Sequence, residues 1–115
     1  MKKTVLFLLI ISVVLSCKTN KTTKQTDFNQ IAWLSSLKNN FKEDTSRKHQ
    51  IIHYKYNEKD VFLVDDCYQC ADGLIRIYDI DKTIICEFGG IIGKNTCPDF
   101  EQEAKKMNFI FNDVN

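Results

Sequence analysis

Residues 50–64 read Q-I-I-H-Y-K-Y-N-E-K-D-V-F-L-V, and the fold class turns on how that stretch is taken. From Gln50 the side chains alternate with a period of two: Ile52, Tyr54 and Tyr56 on one side, Ile51, His53 and Lys55 on the other. Alternation of β-branched and aromatic residues is the mark of a strand with two distinct faces. Asn57-Glu58-Lys59-Asp60 supplies a turn, and Val61 to Val64 reads as the returning strand of a hairpin.

Outward from this hairpin the pattern continues. Leu74 to Asp79 and Thr83 to Phe88 form a second strand pair around Ile80-Asp81-Lys82, where a tight turn is expected, and Gly89-Gly90 ends that pair. Pro98 suits the first turn of a helix, with Asp99 and Glu101 at its positive end, so 100–107 reads as short and helical. Phe109-Ile110-Phe111 reads as an edge strand.

On the N-terminal side the period is helical. Phe28, Ile31, Leu34, Leu37 and Phe41 recur at three- and four-residue spacing beside Trp33, and Asp27 with Gln30 makes a capping-box pattern. The spacing predicts a helix over 28–41 whose aromatic stripe is core. The expected fold is therefore α+β: an N-terminal helix packed on a small antiparallel sheet of about four strands.

The chain opens M-K-K-T-V-L-F-L-L-I-I-S-V-V-L-S-C. A basic start, an apolar run too short for a stable membrane span and the small Ser16 mark residues 1–16 as a secretory signal. Val14-Leu15-Ser16-Cys17 resembles the lipobox of bacterial lipoproteins, with Leu15 in place of the usual small residue. Cys17 is then the expected lipidation site, and several acyl chains on it would anchor the protein stably, palmitate among them. Residues 18–26, K-T-N-K-T-T-K-Q-T, carry no large apolar side chain, so 17–26 reads as lipidated cysteine plus tether. The domain proper is 27–115. A basic tether favours a periplasm-facing position at the outer membrane.

Lys2 and Lys3 leave with the signal, so 16 basic residues become 14 against 15 acidic ones, a balance of −1. No clustered basic face argues for nucleic acid. A domain of this size buries a modest core and commonly needs a covalent staple.

Four cysteines follow Cys17, namely Cys67, Cys70, Cys86 and Cys97. An even count in a small exported domain reads as two disulfides. A bond between Cys67 and Cys70 closes a small ring, so the preferred pairing is Cys67 with Cys86 and Cys70 with Cys97, each loop contributing about 3 kcal/mol. Two other readings of Cys67-Tyr68-Gln69-Cys70 compete. A redox dithiol is disfavoured by Asp65, Asp66 and Asp72, which would raise a thiol pKa, and by the lack of a βαβ pattern. A zinc site lacks a second close cysteine pair.

Other motifs fall away on inspection. Gly89 to Thr96 departs from a phosphate-binding loop at Phe88 and at Asn95 after Lys94, and an exported domain meets no ATP. Asp65, Asp66 and Asp72, or Asp79 and Asp81, do not follow an EF-hand spacing and read as turn carboxylates. His49 and His53 share a strand face but lie well separated, and no serine or cysteine has an evident base beside it. No catalytic, metal or cofactor residue is assigned.

The stretches I-H-Y-K-Y-N-E-K-D-V-F, C-Y-Q-C, I-Y-D-I-D-K-T-I-I-C, G-G-I-I-G-K and C-P-D-F together resemble a family of small uncharacterised bacterial lipoproteins. The resemblance spans about Ile51 to Phe100 and rests on Cys67, Cys70, Tyr78, Asp79, Cys86, Gly89, Gly90, Gly93, Cys97, Pro98, Asp99 and Phe100. Two departures stand out. The first two cysteines look adjacent in many relatives, and the glycine loop has Ile-Gly-Lys where Thr-Gly is common. The resemblance implies an envelope address and a fold but no activity. The expected function is a lipid-anchored, non-enzymatic binding module for an envelope protein or an enzyme it inhibits. The alternative is a periplasmic thiol-disulfide protein using Cys67 and Cys70, and a third possibility is a structural lipoprotein with no dedicated ligand.

Overall fold

The alternation in residues 50–64 becomes the centre of a sheet. In the computed structural model, which describes residues 26–114, β1 (Gln50–Tyr56) and β2 (Lys59–Asp65) pair in register from Gln50 opposite Asp65 to Tyr56 opposite Lys59. Asn57 and Glu58 join them with φ of 49° and 64°. Two consecutive left-handed residues match the right-handed twist of the strands they connect. The expected signal 1–16, Cys17 and the tether up to residue 25 lie outside the described residues.

β3 (Leu74–Tyr78) and β4 (Ile84–Gly89) add the second hairpin. Its turn is built by Asp79, whose Oδ1 accepts the backbone N–H groups of Asp81 and Thr83 at 2.9 Å each. β5 (Lys94–Asn95) pairs with the end of β4, and β6 (Lys105–Asn112) pairs with β1. The sheet order is β5-β4-β3-β2-β1-β6, antiparallel throughout.

This order overturns the expected α+β domain with about four strands. The sheet has six strands, and α1 (Ala32–Glu43) is the sole helix longer than one turn among the described residues. Two physical reasons account for the difference. β5 is a two-residue polar strand created by its neighbour, with no alternation of its own. The expected helix over 100–107 stops after a single turn, α2 (Phe100–Glu103), because Ala104 is extended (φ −81°, ψ 135°) and the chain runs on as β6. The N-terminal helix is also shorter than expected. Phe28–Gln30 forms a separate 3-10 turn capped by Asp27, and an extended Ile31 (ψ 108°) breaks it from α1.

Each face of the sheet has its own core. On one, Leu34 and Phe41 of α1 cluster with Ile51, Phe62 and Val64, and Phe28 and Trp33 pack edge-on to the Phe62 ring. On the other, Tyr56, Val61, Ile77, Cys86 and Phe100 form a second cluster. That face is covered because β5 and β6 occupy opposite edges, so the connecting residues 96–104 must cross the sheet. Phe100 is their anchor, 6% exposed against Tyr54, Tyr56 and Phe88.

Candidate functional site

The cysteines resolve first. Cys67 bonds to Cys70 and Cys86 bonds to Cys97, with Cα separations of 5.4 and 5.5 Å. Two disulfides were expected, but the preferred crossing of Cys67 with Cys86 and Cys70 with Cys97 is wrong. The small ring closes because the loop after β2 is a chain of tight turns. Cys70 N–H donates to the Cys67 carbonyl at 3.0 Å, Gly73 N–H donates to the Cys70 carbonyl at 3.1 Å, and Gln69 takes a left-handed φ of 64°. Cys86 and Cys97 meet because the crossing segment folds back over β4.

The two bonds sit in different surroundings. Cys86 is 1% exposed and belongs to the second core, so its bond pins the crossing segment to the sheet. Cys67 and Cys70 are half-buried, in the loop between β2 and β3. Asp65 closes that loop from below, its Oδ1 accepting the Cys67 N–H at 3.1 Å. Burial pushes the Asp65 carboxyl above the usual carboxylate range, with Asp66 adding to the rise. No helix starts at this loop, so no N-terminal dipole is aimed at the sulfurs.

The glycine loop packs against the same end. Gly90 N–H donates to the Gly73 carbonyl at 2.9 Å, and a Cβ on Gly89 (φ 88°) would fall 2.6 Å from that oxygen. Only glycine fits such an approach. The loop expected after β4 is thus a tight turn with a structural partner.

His49 and His53 both face α1, and both are buried, at 1% and 5% exposure. His49 stacks on Phe41 with ring centroids 4.2 Å apart, and its ring nitrogens lie 3.2 Å from Asp44 and 3.4 Å from Asp113. His53 Nε2 is 2.7 Å from Asp60 Oδ1, which also takes Lys55 Nζ at 2.8 Å. Burial pushes Asp60 up, but Lys55 and His53 outweigh it and hold the carboxyl low. These are cross-element ties inside the core, not a nucleophile and its base. Among the described residues no group of three or more His, Cys, Asp or Glu is placed to hold a metal ion.

The feature the sequence reading missed is a cleft on the second face. About 380 Å³ in volume, it lies between the sheet and the crossing segment, walled by Tyr54, Leu63, Ile75, Phe88 and Phe100, with Asn95 and Glu101 at its rim. Tyr54 loses water contact there, and burial pushes its phenol up. Tyr56, next along β1, donates its hydroxyl hydrogen to Asp99 at 2.8 Å, which fixes the start of α2 beside the cleft. The sequence signal for this cleft was present only in part: Tyr54, Ile75 and Phe88 occupy matching strand faces, but nothing local shows that Phe100 folds over them.

A family model described as a domain of unknown function, DUF6970, matches residues 37–113. The chain belongs to that family. The matched range takes in every strand, both disulfides and the cleft. No curated protein and no solved structure matches the chain. Among the described residues no helix is long and apolar enough to cross a membrane.

Proposed function

We propose that this protein is a lipid-anchored component of the cell envelope that acts by binding, and that the aromatic cleft is where it binds. The cleft carries the reading. Its volume is large enough to take an apolar anchor, and its walls are mostly apolar with a few polar groups, the Tyr54 hydroxyl, Asn95 and Glu101, to fix orientation. The partner is an envelope protein that inserts an aromatic or branched aliphatic side chain between Tyr54, Phe88 and Phe100. The Cys86–Cys97 bond holds the crossing segment, and therefore one wall, in place without the partner.

The anchor is Cys17, exposed as the first residue once 1–16 is removed, with the domain facing the periplasm at the outer membrane. The resemblance to small bacterial lipoproteins supports this address. Cys17→Ser is expected to shift the protein from the membrane to the soluble fraction and to remove the acyl mass. A membrane-bound serine variant would refute lipid anchoring at this residue.

The cleft is tested with N-acetyl-tryptophanamide and N-acetyl-leucinamide as mimics of the anchor. Saturable NMR shifts are expected at Tyr54, Phe88 and Phe100, and Leu63→Trp, which fills the space, should abolish them while the fold persists. Shifts that are absent, or that survive the filling variant, would remove the cleft from consideration.

One observation favours a second reading, thiol–disulfide exchange. Cys67 and Cys70, with two residues between them, bond to each other in a half-buried loop outside both cores. A short local bond of this kind is the form a redox disulfide takes.

A further inference from the structure

Beside the Cys67–Cys70 loop stands the most exposed apolar pair among the described residues. Ile91 and Ile92 are 90% and 88% exposed at the tip between β4 and β5. Gly93 N–H donates to the Gly90 carbonyl at 3.2 Å, so the two isoleucines occupy the central positions of a β-turn. Those positions ordinarily carry polar or small residues, and nothing in the turn's own geometry asks for a branched apolar side chain. Both isoleucines are left in water by the fold, and burial against a partner would recover that cost.

The tip is not free to wander from the disulfide. Gly73 connects the two: its N–H donates to Cys70, its carbonyl accepts from Gly90, and Gly89 leans on that same oxygen. Asp66 and Asp72 flank the cysteine pair along the chain, one half-buried and one exposed. One end of the sheet thus holds an apolar knob and a disulfide in fixed relation, with two carboxylates next to the cysteines in the chain.

Resting on the exchange reading, we infer that Ile91–Ile92 is the docking element that brings apolar, basic, cysteine-bearing segments of envelope proteins onto the Cys67–Cys70 disulfide. The apolar part follows from the knob and the basic part from charge. An incoming thiolate is repelled by Asp66 and Asp72, and a lysine beside the substrate cysteine both offsets that field and lowers the attacking thiol's pKa. The substrate thiolate attacks one sulfur of the pair, a mixed disulfide forms, and the other sulfur leaves as a thiolate that takes a proton from water. A second substrate thiolate then attacks the mixed disulfide. Two substrate thiols are oxidised to one disulfide, and Cys67–Cys70 is reduced to two thiols.

The test follows the reduction of Cys67 and Cys70 in the full-length chain by alkylation and peptide mass mapping. Two short single-cysteine peptides of equal charge are compared, one flanked by isoleucine and lysine and one by serine and lysine, alongside dithiothreitol. The apolar peptide is expected to react about tenfold faster than the other, the scale set by burying part of one isoleucine. The Ile91→Ser, Ile92→Ser double variant should lose that preference and keep its dithiothreitol rate. Equal peptide rates in the native protein, or a preference retained in the variant, overturn docking and leave exchange standing. If no thiol reduces the pair until circular dichroism shows unfolding, the exchange reading fails and the docking proposal fails with it.

Discussion

Replacing Cys86 and Cys97 together by alanine is expected to lower the unfolding free energy by about 3 kcal/mol, while the same change at Cys67 and Cys70 lowers it by about 2 kcal/mol or less. The chain-entropy argument ranks them by loop length, since the bonds span sequence separations of 11 and 3. Position widens the gap. Cys86 is buried beneath Phe100 among Tyr56, Val61 and Ile77, and its bond holds the crossing segment that roofs the second core. Without it, residues 96–104 are retained by Phe100, by the Tyr56–Asp99 hydrogen bond and by the β4–β5 pairing. Cys67 and Cys70 lie in a loop already closed by the Asp65, Cys70 and Gly73 hydrogen bonds. For a domain this small the larger loss corresponds to roughly 10–20 °C in Tm. Urea denaturation of both double variants measures the difference. Equal losses would mean that the Cys67–Cys70 bond is as much a structural staple as the other, and would count against its use in exchange.

The central hairpin was legible because both faces of β1 and β2 are buried, so side chains alternate against two cores. The edges were legible only in part: the edge strand expected at Phe109-Ile110-Phe111 lies within β6, but its full length and β5 were not foreseen, for a related reason. β6 is exposed along most of its length, with Lys105, Lys106, Met107, Asn108 and Phe109 all facing solvent, so no buried face imposes a period of two on its residues. β5 is two polar residues whose strand character comes from pairing with Phe88 and Gly89. The cysteine pairing was misjudged because ring closure between Cys67 and Cys70 depends on a left-handed Gln69, a conformation that glutamine does not advertise. The cleft was invisible for want of topology. Its aromatic walls come from β1, β4 and α2, and only the crossing from one sheet edge to the other brings Phe100 over Tyr54 and Phe88.

His49→Ala is expected to cost about 3 kcal/mol at neutral pH, from the lost ring volume and the polar groups it leaves behind. The ring stacks on Phe41 near the end of α1, and its nitrogens reach Asp44 just after that helix and Asp113 just after β6. One side chain therefore ties the helix and the last strand to the start of β1. The pH dependence separates the packing loss from the charge loss. Burial pushes Asp113 up, but the His49 backbone N–H and ring outweigh it and hold the carboxyl low. A carboxyl whose folded pKa lies below its unfolded value of about 3.9 stabilises fully above that value, and the gain disappears as pH falls through the folded pKa. The alanine variant keeps the backbone bond to Asp113 and loses the ring, so it has less to lose in acid. Asp44 changes little, because Ser46 is the main cause of its low pKa. The stability gap between the native protein and the variant should therefore narrow as pH falls below about 4. Urea titrations through that pH decide the matter: a gap that stays constant into acid would make His49 a packing residue alone, and a narrowing gap would make the Asp113 contact part of what closes the sheet against α1.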